Sequence, residues 1–150
     1  QQGVVLEQMI LKPNMVVSGK QCPNQANIEQ VAGATVYCLR RTVPAAVPGI
    51  AFLSGGQSSE LAAAHLNAMH TQYGDQLPWQ LTFSYSRAIQ QPALEAWRGD
   101  AANVPQAQRL LLHWAKCNSA ASQGNYTAEM GKQVDAAIGN TKPLQLLSQD

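Results

Sequence analysis

The chain has 150 residues, of which 45% are hydrophobic and only 13% are charged, with ten Lys and Arg against nine Asp and Glu. Its length fits one domain of about 100 to 200 residues, and its charged fraction is well below the roughly 25% of a typical globular domain. A formal net charge of +1 provides no basic surface for nucleic acid or an acidic membrane, so the composition argues against both partners.

The start of the chain and its cysteines bear on where the protein works. The sequence lacks an initiating Met and enters an apolar run at Val4, which we interpret as a truncated start. Cys22, Cys38 and Cys117 are odd in number and form no CxxC pair, so we expect reduced, buried side chains in a reducing compartment. No window holds 18 consecutive apolar residues, and no basic segment leads into an apolar one at the start. The sequence therefore predicts a cytoplasmic protein without a membrane span.

Three apolar runs rich in β-branched or aromatic residues predict strands. They are residues 4–11 (VVLEQMIL), 49–53 (GIAFL) and 79–85 (WQLTFSY). The first run has only two polar residues, as expected for a strand buried on both faces. Segments with helical spacing lie between the runs, so strands and helices alternate. That alternation predicts βαβ units and a parallel sheet covered by helices, which is an α/β fold.

Helical periodicity predicts the remaining elements. Helices are predicted over Asn27–Arg41, from the capping residue Ser58 to the stop at Tyr73-Gly74-Asp75, over Arg87–Trp97 with a break or restart at Pro92, over Val104–Ser122 and over Thr127–Ile138. Residues 139–150 have the composition of a loosely held terminus. Three strands make a small sheet with two unpaired edges, so we interpret the pattern as part of a larger fold.

Lys12 is a candidate nucleophile at the end of the first strand. The carboxyl ends of parallel strands form the usual ligand-binding face of an α/β sheet, and each predicted strand here ends in a polar or glycine-rich turn. Apolar neighbours at the strand end would favour a neutral amine, which attacks carbonyl carbon and forms a Schiff base. The simpler interpretation, which position alone favours, is a lysine that extends its ammonium into solvent.

The turn after the second strand, Ser54-Gly55-Gly56, has the pattern of an anion-binding loop. Backbone amides at a helix N-terminus, unobstructed by Cβ atoms, can hold phosphate, although a simple tight turn is an equally good interpretation. Arg87 follows the third strand at a helix start, where it is either a second, bidentate ligand for the same phosphate or a surface arginine. Loops after strands 7 and 8 commonly form such a site in (β/α)₈ barrels, which favours the phosphate interpretation of both.

Histidines and tryptophans carry weaker signals. His65 and His70 are five residues apart on one predicted helix, which turns them away from each other, and no acidic residue completes a ligand set with them or with His113. We therefore predict no metal site. The tryptophans fall at apolar positions and are expected in the core or at an interface: Trp79, Trp97 and Trp114.

Four segments point to a known family. They are Leu6–Val16 (LEQMILKPNMV), Arg41–Pro44 (RTVP), Phe52–Ser58 (FLSGGQS) and Leu81–Ala88 (LTFSYSRA). Together they closely resemble the C-terminal portion of class I fructose-1,6-bisphosphate aldolase. Shorter matches continue to Tyr126, so the resemblance covers residues 1–126.

The resemblance implies a TIM (β/α)₈ barrel, of which residues 1–126 hold the last three βα units and a C-terminal helical extension, with residues 127–150 as a tail. It implies a cytoplasmic enzyme of glycolysis and gluconeogenesis, usually a homotetramer, that needs no metal or organic cofactor. Its sugar phosphate substrate, fructose 1,6-bisphosphate, is cleaved reversibly to dihydroxyacetone phosphate and glyceraldehyde 3-phosphate. By the same resemblance, Lys12 is the Schiff-base lysine. The positions that match the family's phosphate site are Ser54, Gly55, Gly56, Ser84, Ser86 and Arg87.

Departures from the family pattern are also visible. Ser86 stands where the family usually has Gly, Trp114 stands where many members carry a basic residue, and the chain ends at Asp150 instead of the Tyr that many animal members use in proton transfer. The family's catalytic carboxylates lie on earlier strands, which this sequence does not contain. Two hypotheses follow: part of a complete, catalytic barrel, or a truncated, non-catalytic phosphate-binding or scaffolding fragment. For the isolated 150 residues we predict no turnover.

Overall fold

A computed structural model of the chain describes residues 3–133. Within them, strands and helices follow in the order β1 (Ile10–Leu11), α1 (Ile28–Thr42), β2 (Gly49–Phe52), α2 (Ser59–Tyr73), β3 (Gln80–Phe83), α3 (Arg87–Trp97), α4 (Val104–Ala121) and α5 (Ala128–Lys132). Short 3₁₀ turns occupy Leu6–Gln8, Gly74–Gln76 and Ala101–Asn103. The helix predicted over Thr127–Ile138 corresponds to α5 in its first part. Its later residues and the predicted loose terminus lie outside the described residues.

The strands form a parallel sheet in the order β1-β2-β3. Ile50 of β2 lies in register between Leu11 of β1 and Leu81 of β3. Ile50 and Phe52 of this central strand are fully buried, because β2 has a neighbour on each side and helices pack over the sheet. Parallel neighbours need crossover connections, which α1 and α2 provide. The predicted α/β class with a helix-covered parallel sheet is confirmed.

The first strand is much shorter than predicted. The sequence predicts a doubly buried strand over residues 4–11, but only Ile10 and Leu11 pair with β2. Val4 and Ile10 are each 68% exposed. β1 is an edge strand, and no other strand of residues 3–133 lies on its outer side, so Ile10 stays uncovered while Leu11 is half-buried. The prediction of burial on both faces is wrong for this chain.

The helices after β1 and β2 begin at their caps. Asn27 and Gln30 form a reciprocal capping box at the start of α1: the Asn27 side chain accepts from the Gln30 amide at 2.8 Å, and the Gln30 side chain accepts from the Asn27 amide at 2.9 Å. Ser58 caps α2, as predicted, by accepting from the amide of Leu61 at 3.2 Å. The buried face of α1 consists of Val31, Ala32, Thr35, Val36 and Leu39, which recur at helical spacing.

Several predictions about the later helices and the core need correction. Pro92 does not break α3, which is continuous from Arg87 to Trp97. The helix packs along α4, and this packing outweighs the loss of one backbone donor. Trp97 is 41% exposed and is not a core residue, whereas Trp79 and Trp114 are buried. Of the cysteines expected to be buried, only Cys117 is; the other two, Cys22 and Cys38, are exposed.

The hydrophobic core lies between the sheet and the helices. Phe52 of β2, Leu66 and Met69 of α2 and Trp114 of α4 are all at most 2% exposed. Trp79 at the start of the third strand segment donates its indole N–H to the carbonyl of Pro44 at 2.9 Å, so its polar atom is satisfied inside the fold. No helix in residues 3–133 is long and apolar enough to cross a bilayer.

Candidate active site

Backbone hydrogen bonds beyond the sheet ladder join the ends of the three strands. The amide of Leu53 donates to the carbonyl of Pro13 at 3.0 Å, and the amide of Ser84 donates to the carbonyl of Phe52 at 2.8 Å. The chain that follows each strand therefore leaves the sheet beside the chain that follows its neighbour. The three turns singled out in the sequence lie at this one edge of the sheet.

Lys12 follows β1 directly and is exposed. The backbone after it is fixed, because Met15 is 3% exposed and the amide of Val16 donates to Oγ1 of Thr35 in α1 at 2.9 Å. The apolar surroundings expected for Lys12 from the sequence are not observed, since Ile10 of the edge strand is itself exposed. The lysine is thus carried on a well-anchored segment, but its side chain is open to solvent.

The loop after β2 is a tight turn with two left-handed glycines. The amide of Gln57 donates to the carbonyl of Ser54 at 3.0 Å and closes the turn. Gly55 and Gly56 have φ angles of +60° and +83°, which residues with a side chain rarely adopt. A Cβ on Gly55 would overlap the side chain of Asn14, whose Cγ would be 2.9 Å away. The glycines therefore allow the loops after β1 and β2 to approach each other closely.

A polar chain formed by Gln57 and His65 supports this loop. Gln57 donates Nε2 to the carbonyl of Ser54 at 3.0 Å, and its Oε1 accepts from Nδ1 of His65 at 2.6 Å. His65 is 4% exposed, and burial lowers its pKa, so the ring is neutral with its proton on Nδ1. The turn at Ser54, itself 5% exposed, is therefore held by side chains of this chain. Neither Gln57 nor His65 was predicted as a residue of this site, because the contact between them depends on how α2 is placed after the turn.

The two serines after β3 have different environments. The hydroxyl of Ser84 donates to the carbonyls of Ala51 and Phe52 at 3.2 and 3.1 Å, so it fastens the chain to the end of β2. Ser86 precedes α3, is exposed, and has a φ of −94°, which any residue can adopt. The negative φ means that this position does not need the left-handed conformation that favours glycine. Its hydroxyl donates to Oε1 of Gln90 at 3.3 Å.

Two cationic side chains lie over Gly56. A Cβ built on Gly56 would lie 3.2 Å from Nζ of Lys20 and 3.9 Å from Nη2 of Arg87. Arg87 is the first residue of α3 and was a candidate from the sequence. Lys20 was not, because it lies in a polar loop before α1 and belongs to no motif that links it to the glycine turn. The structure brings a predicted and an unpredicted cation to the same glycine.

The remaining histidines serve packing. In residues 3–133, no group of three or more His, Cys, Asp or Glu side chains could hold a metal ion. Nε2 of His70 donates to the carbonyl of Leu81 at 2.9 Å, and the His113 ring contacts Sγ of Cys117 at 3.6 Å. These interactions tie α2 to β3 and stabilise α4 internally.

Known proteins resemble this chain in sequence and in structure. A family model for class I fructose-bisphosphate aldolase matches residues 1–142. A probable fructose-bisphosphate aldolase class 1 of Xanthomonas axonopodis pv. citri is 54% identical over 127 residues, which are 84% of this chain and 37% of the relative. A fructose-bisphosphate aldolase of Dictyostelium discoideum is 50% identical over 126 residues, 84% of this chain and 35% of that relative.

The fold comparison agrees. A solved structure of fructose-bisphosphate aldolase from Plasmodium falciparum, in complex with TRAP and a small-molecule inhibitor, has a TM-score of 0.79 and 47% sequence identity. The match covers 84% of this chain and 36% of that one. The chain thus spans just over a third of the length of the curated relatives it matches.

Proposed function

The chain belongs to the class I fructose-bisphosphate aldolase family, and from that premise we propose that it forms the Schiff-base and phosphate-binding part of an aldolase barrel. The reaction is the reversible cleavage of fructose 1,6-bisphosphate to dihydroxyacetone phosphate and glyceraldehyde 3-phosphate. One observation carries the proposal. Pro13 and Leu53, the neighbours of Lys12 and Ser54, share a hydrogen bond of 3.0 Å, so the candidate nucleophile and the candidate phosphate loop start from adjacent points.

Lys12 is the nucleophile in this proposal. Its neutral amine attacks C2 of the substrate ketone, the carbonyl oxygen leaves as water after taking up protons, and an iminium forms. The iminium nitrogen accepts the electron pair of the C3–C4 bond as a base removes the C4 hydroxyl proton. Glyceraldehyde 3-phosphate leaves, and an enamine stays on Lys12. Protonation at C3 and addition of water then release dihydroxyacetone phosphate and restore the amine.

The phosphate loop orients the ketone for this attack. Backbone amides of the turn Ser54-Gly55-Gly56 and the first amides of α3 are donors of the kind that bind phosphate. The guanidinium of Arg87 adds a bidentate cation. Ser84 contributes by fixing the end of β3 against β2, and Ser86 offers an exposed hydroxyl. A phosphate held at these groups restricts the substrate to poses in which C2 reaches Nζ, which is how binding lowers the entropic part of a barrier.

We further propose that β1-α1, β2-α2 and β3-α3 are the last three units of a (β/α)₈ barrel within residues 1–126, and that α4 belongs to a C-terminal extension. The exposed edge of β1 supports this, because a preceding barrel strand paired there would bury Val4 and Ile10, which are each 68% exposed here. From the family alone we infer a cytoplasmic homotetramer. The general acid and base come from earlier strands, and their absence typically removes about 10²- to 10⁴-fold in rate. The 150 residues alone therefore show no turnover.

The test is chemical trapping on a complete barrel. The part of the Xanthomonas relative that this sequence does not match is joined in front of this chain, and the chimera is incubated with dihydroxyacetone phosphate and reduced with borohydride. We expect one stable adduct, which peptide mass spectrometry places on Lys12. A folded chimera with no adduct on Lys12 overturns the proposal.

The alternative function is a non-catalytic phosphate-binding or scaffolding fragment. One observation favours it: the side chain of Lys12 is exposed on an edge strand, while the phosphate loop is already supported within this chain. That alternative predicts phosphate binding by the chimera without adduct formation or aldol cleavage.

A further inference from the structure

Lys20 lies on an ordered loop that delivers it to the glycine turn. The amide of Cys22 donates to the carbonyl of Gly19 at 2.9 Å, and Nε2 of Gln25 donates to the carbonyls of Gly19 and Cys22 at 3.1 and 2.7 Å. The amide of Ala26 donates to Oγ of Ser18 at 3.0 Å. These bonds fix the backbone on both sides of Lys20. Its position over Gly56 follows from the fold of the loop.

The Lys20 and Arg87 side chains lack a compensating anion. Within residues 3–133, neither makes a hydrogen bond or an ion pair with another side chain or with the backbone. Two like charges near one point repel each other, and an anion bound by both would relieve that repulsion. Both residues are exposed, so an anion reaches them directly from solvent.

The space between the two cations has the dimensions of a phosphate contact. The point that a Gly56 Cβ would occupy lies 3.2 Å from Nζ of Lys20 and 3.9 Å from Nη2 of Arg87. Both distances run to one point, so the two nitrogens lie close enough together for oxygens of one phosphate to accept from both, since charge-assisted N–H···O bonds are about 2.7 to 2.9 Å long. Lys20 also lines a cavity of about 250 Å³ with Gly55, Gly56 and Gln57. The glycine turn therefore borders open space on the side of Lys20, whereas Arg87 does not line this cavity.

We propose that Lys20 binds the phosphate group of the sugar phosphate substrate as a second side-chain cation, opposite Arg87. This inference rests on the proposed aldolase function and identifies one more ligand for the same site. Lys20 approaches phosphate from the loop after β1, whereas Arg87 approaches it from α3. A compact ammonium complements the planar guanidinium, because it can donate to an oxygen that the fork of Arg87 does not reach. Its contribution is to affinity for the dianion, and the bond-breaking step does not involve it.

The test is a binding titration of the 150-residue chain with inorganic phosphate and with dihydroxyacetone phosphate, followed through the amide NMR signals of Gly55 and Gly56. We expect Lys20→Gln to weaken binding of both ligands about three- to tenfold, since the lost contact is a partly solvated ion pair. The Lys20→Arg variant retains most of the affinity. Lys116→Gln removes an exposed lysine of α4 and leaves the affinity unchanged.

The outcomes of this titration test the role of Lys20 and distinguish free phosphate from the sugar phosphate as its ligand. Equal affinity of Lys20→Gln and the original chain for both ligands overturns the inference, as does a chain whose Gly55 and Gly56 signals respond to neither ligand. Weaker binding of inorganic phosphate alone means that Lys20 binds a free anion and not the substrate, which also overturns it. The aldolase proposal is tested separately, by trapping on Lys12 in the complete barrel. Failure of that proposal and failure of the inference about Lys20 are therefore distinguished by different measurements.

Discussion

Lys12 and Ser54 follow neighbouring parallel strands, but this chain surrounds them differently. Ser54 is 5% exposed, and the turn that it begins is closed by its own backbone and supported by the side chains of Gln57 and His65. Lys12 is exposed at the end of a two-residue edge strand. The proposed phosphate region, which is the turn after β2 with Arg87, is thus supported by other residues of this chain, whereas the proposed lysine region at Lys12 has a neighbouring strand on one side only within residues 3–133.

Under the proposed function, the two regions perform different chemistry. A phosphate is bound by backbone amides and nearby cations, which one loop and one helix start can supply. Schiff-base catalysis also needs groups that move protons and a shielded environment around the amine. In the proposed barrel, those groups come from earlier strands. The exposed apolar residues Val4 and Ile10 lie on the side where we propose that a preceding strand pairs.

The largest effect is expected from a substitution of Lys12, which should change the lysine region and leave the phosphate region intact. In the chimeric barrel, Lys12→Met removes the amine that forms the iminium, so the borohydride adduct falls to background and aldol cleavage is lost. Binding of inorganic phosphate stays unchanged, because the Met substitution leaves the turn after β2 untouched. Mass spectrometry and a phosphate titration on the same preparation measure both. A Lys12→Met barrel that still forms a reducible adduct would show that another amine is the nucleophile.

The matched change in the phosphate region is Arg87→Ala. It removes a cation that faces Gly56, and we expect about tenfold weaker phosphate binding, given the strength of hydrogen bonds between charged groups. The adduct on Lys12 still forms when dihydroxyacetone phosphate is saturating. If Arg87→Ala abolished the adduct at every concentration while phosphate binding stayed intact, the division of labour between the regions would be wrong.

How well the sequence predicts a feature depends on how far apart along the chain the interacting residues lie. The start of α1 at Asn27 and that of α2 at Ser58 depend on contacts three residues apart, and both are visible as patterns. The length of β1 depends on whether a strand lies beyond it, so an apolar run alone overestimates it. The approach of Lys20 to Gly56 joins loops 36 positions apart, and no local pattern records it. The turn Ser54-Gly55-Gly56 could be recognised because glycine is the residue that most readily adopts the left-handed backbone conformation.

A smaller effect tests whether the phosphate turn depends on Gly55. Gly55→Ala forces a side chain into a left-handed backbone with φ +60° and into the space of Asn14, whose Oδ1 accepts from the amide of Met15 at 3.0 Å. We expect the free energy of unfolding of the 150-residue chain to fall by about 2 to 3 kcal/mol, from backbone strain and a weakened hydrogen bond. Urea unfolding measures it.

The control for that prediction is Gly19→Ala. A Cβ on Gly19 meets nothing within 4 Å, and its φ is not in the left-handed region, so we expect a change within about 0.5 kcal/mol. The double variant Asn14→Ala/Gly55→Ala removes the overlap but keeps the backbone strain, and should recover part of the loss. Equal destabilisation by Gly55→Ala and Gly19→Ala would contradict a special role for the turn.

The smallest effect concerns the buried support of the phosphate turn and its dependence on pH. Burial lowers the pKa of His65 below its ordinary value of 6.5, so near and below that pH the unfolded chain takes up a proton more readily than the folded chain does. The contribution of neutral His65 to stability is therefore fully present above pH 6.5 and is lost as the pH falls toward the lower folded pKa. We expect the free energy of unfolding to decrease over this interval by at most about 1.4 kcal/mol per pH unit for this residue.

The variant His65→Asn isolates that contribution, because an amide can still donate to Oε1 of Gln57 but does not titrate. Burial also lowers the pKa of His113, which adds a slope of the same sign, so His113→Asn serves as the matched control on α4. Urea unfolding between pH 7.5 and 5 should give a shallower pH dependence for each variant, and the shallowest for the double variant. Only His65→Asn should also change the amide signals of Gly55 and Gly56, because only His65 reaches the turn through Gln57. An unchanged pH slope in His65→Asn would mean that the folded and unfolded chains bind a proton at His65 equally well, which would contradict a neutral, buried ring beneath the turn.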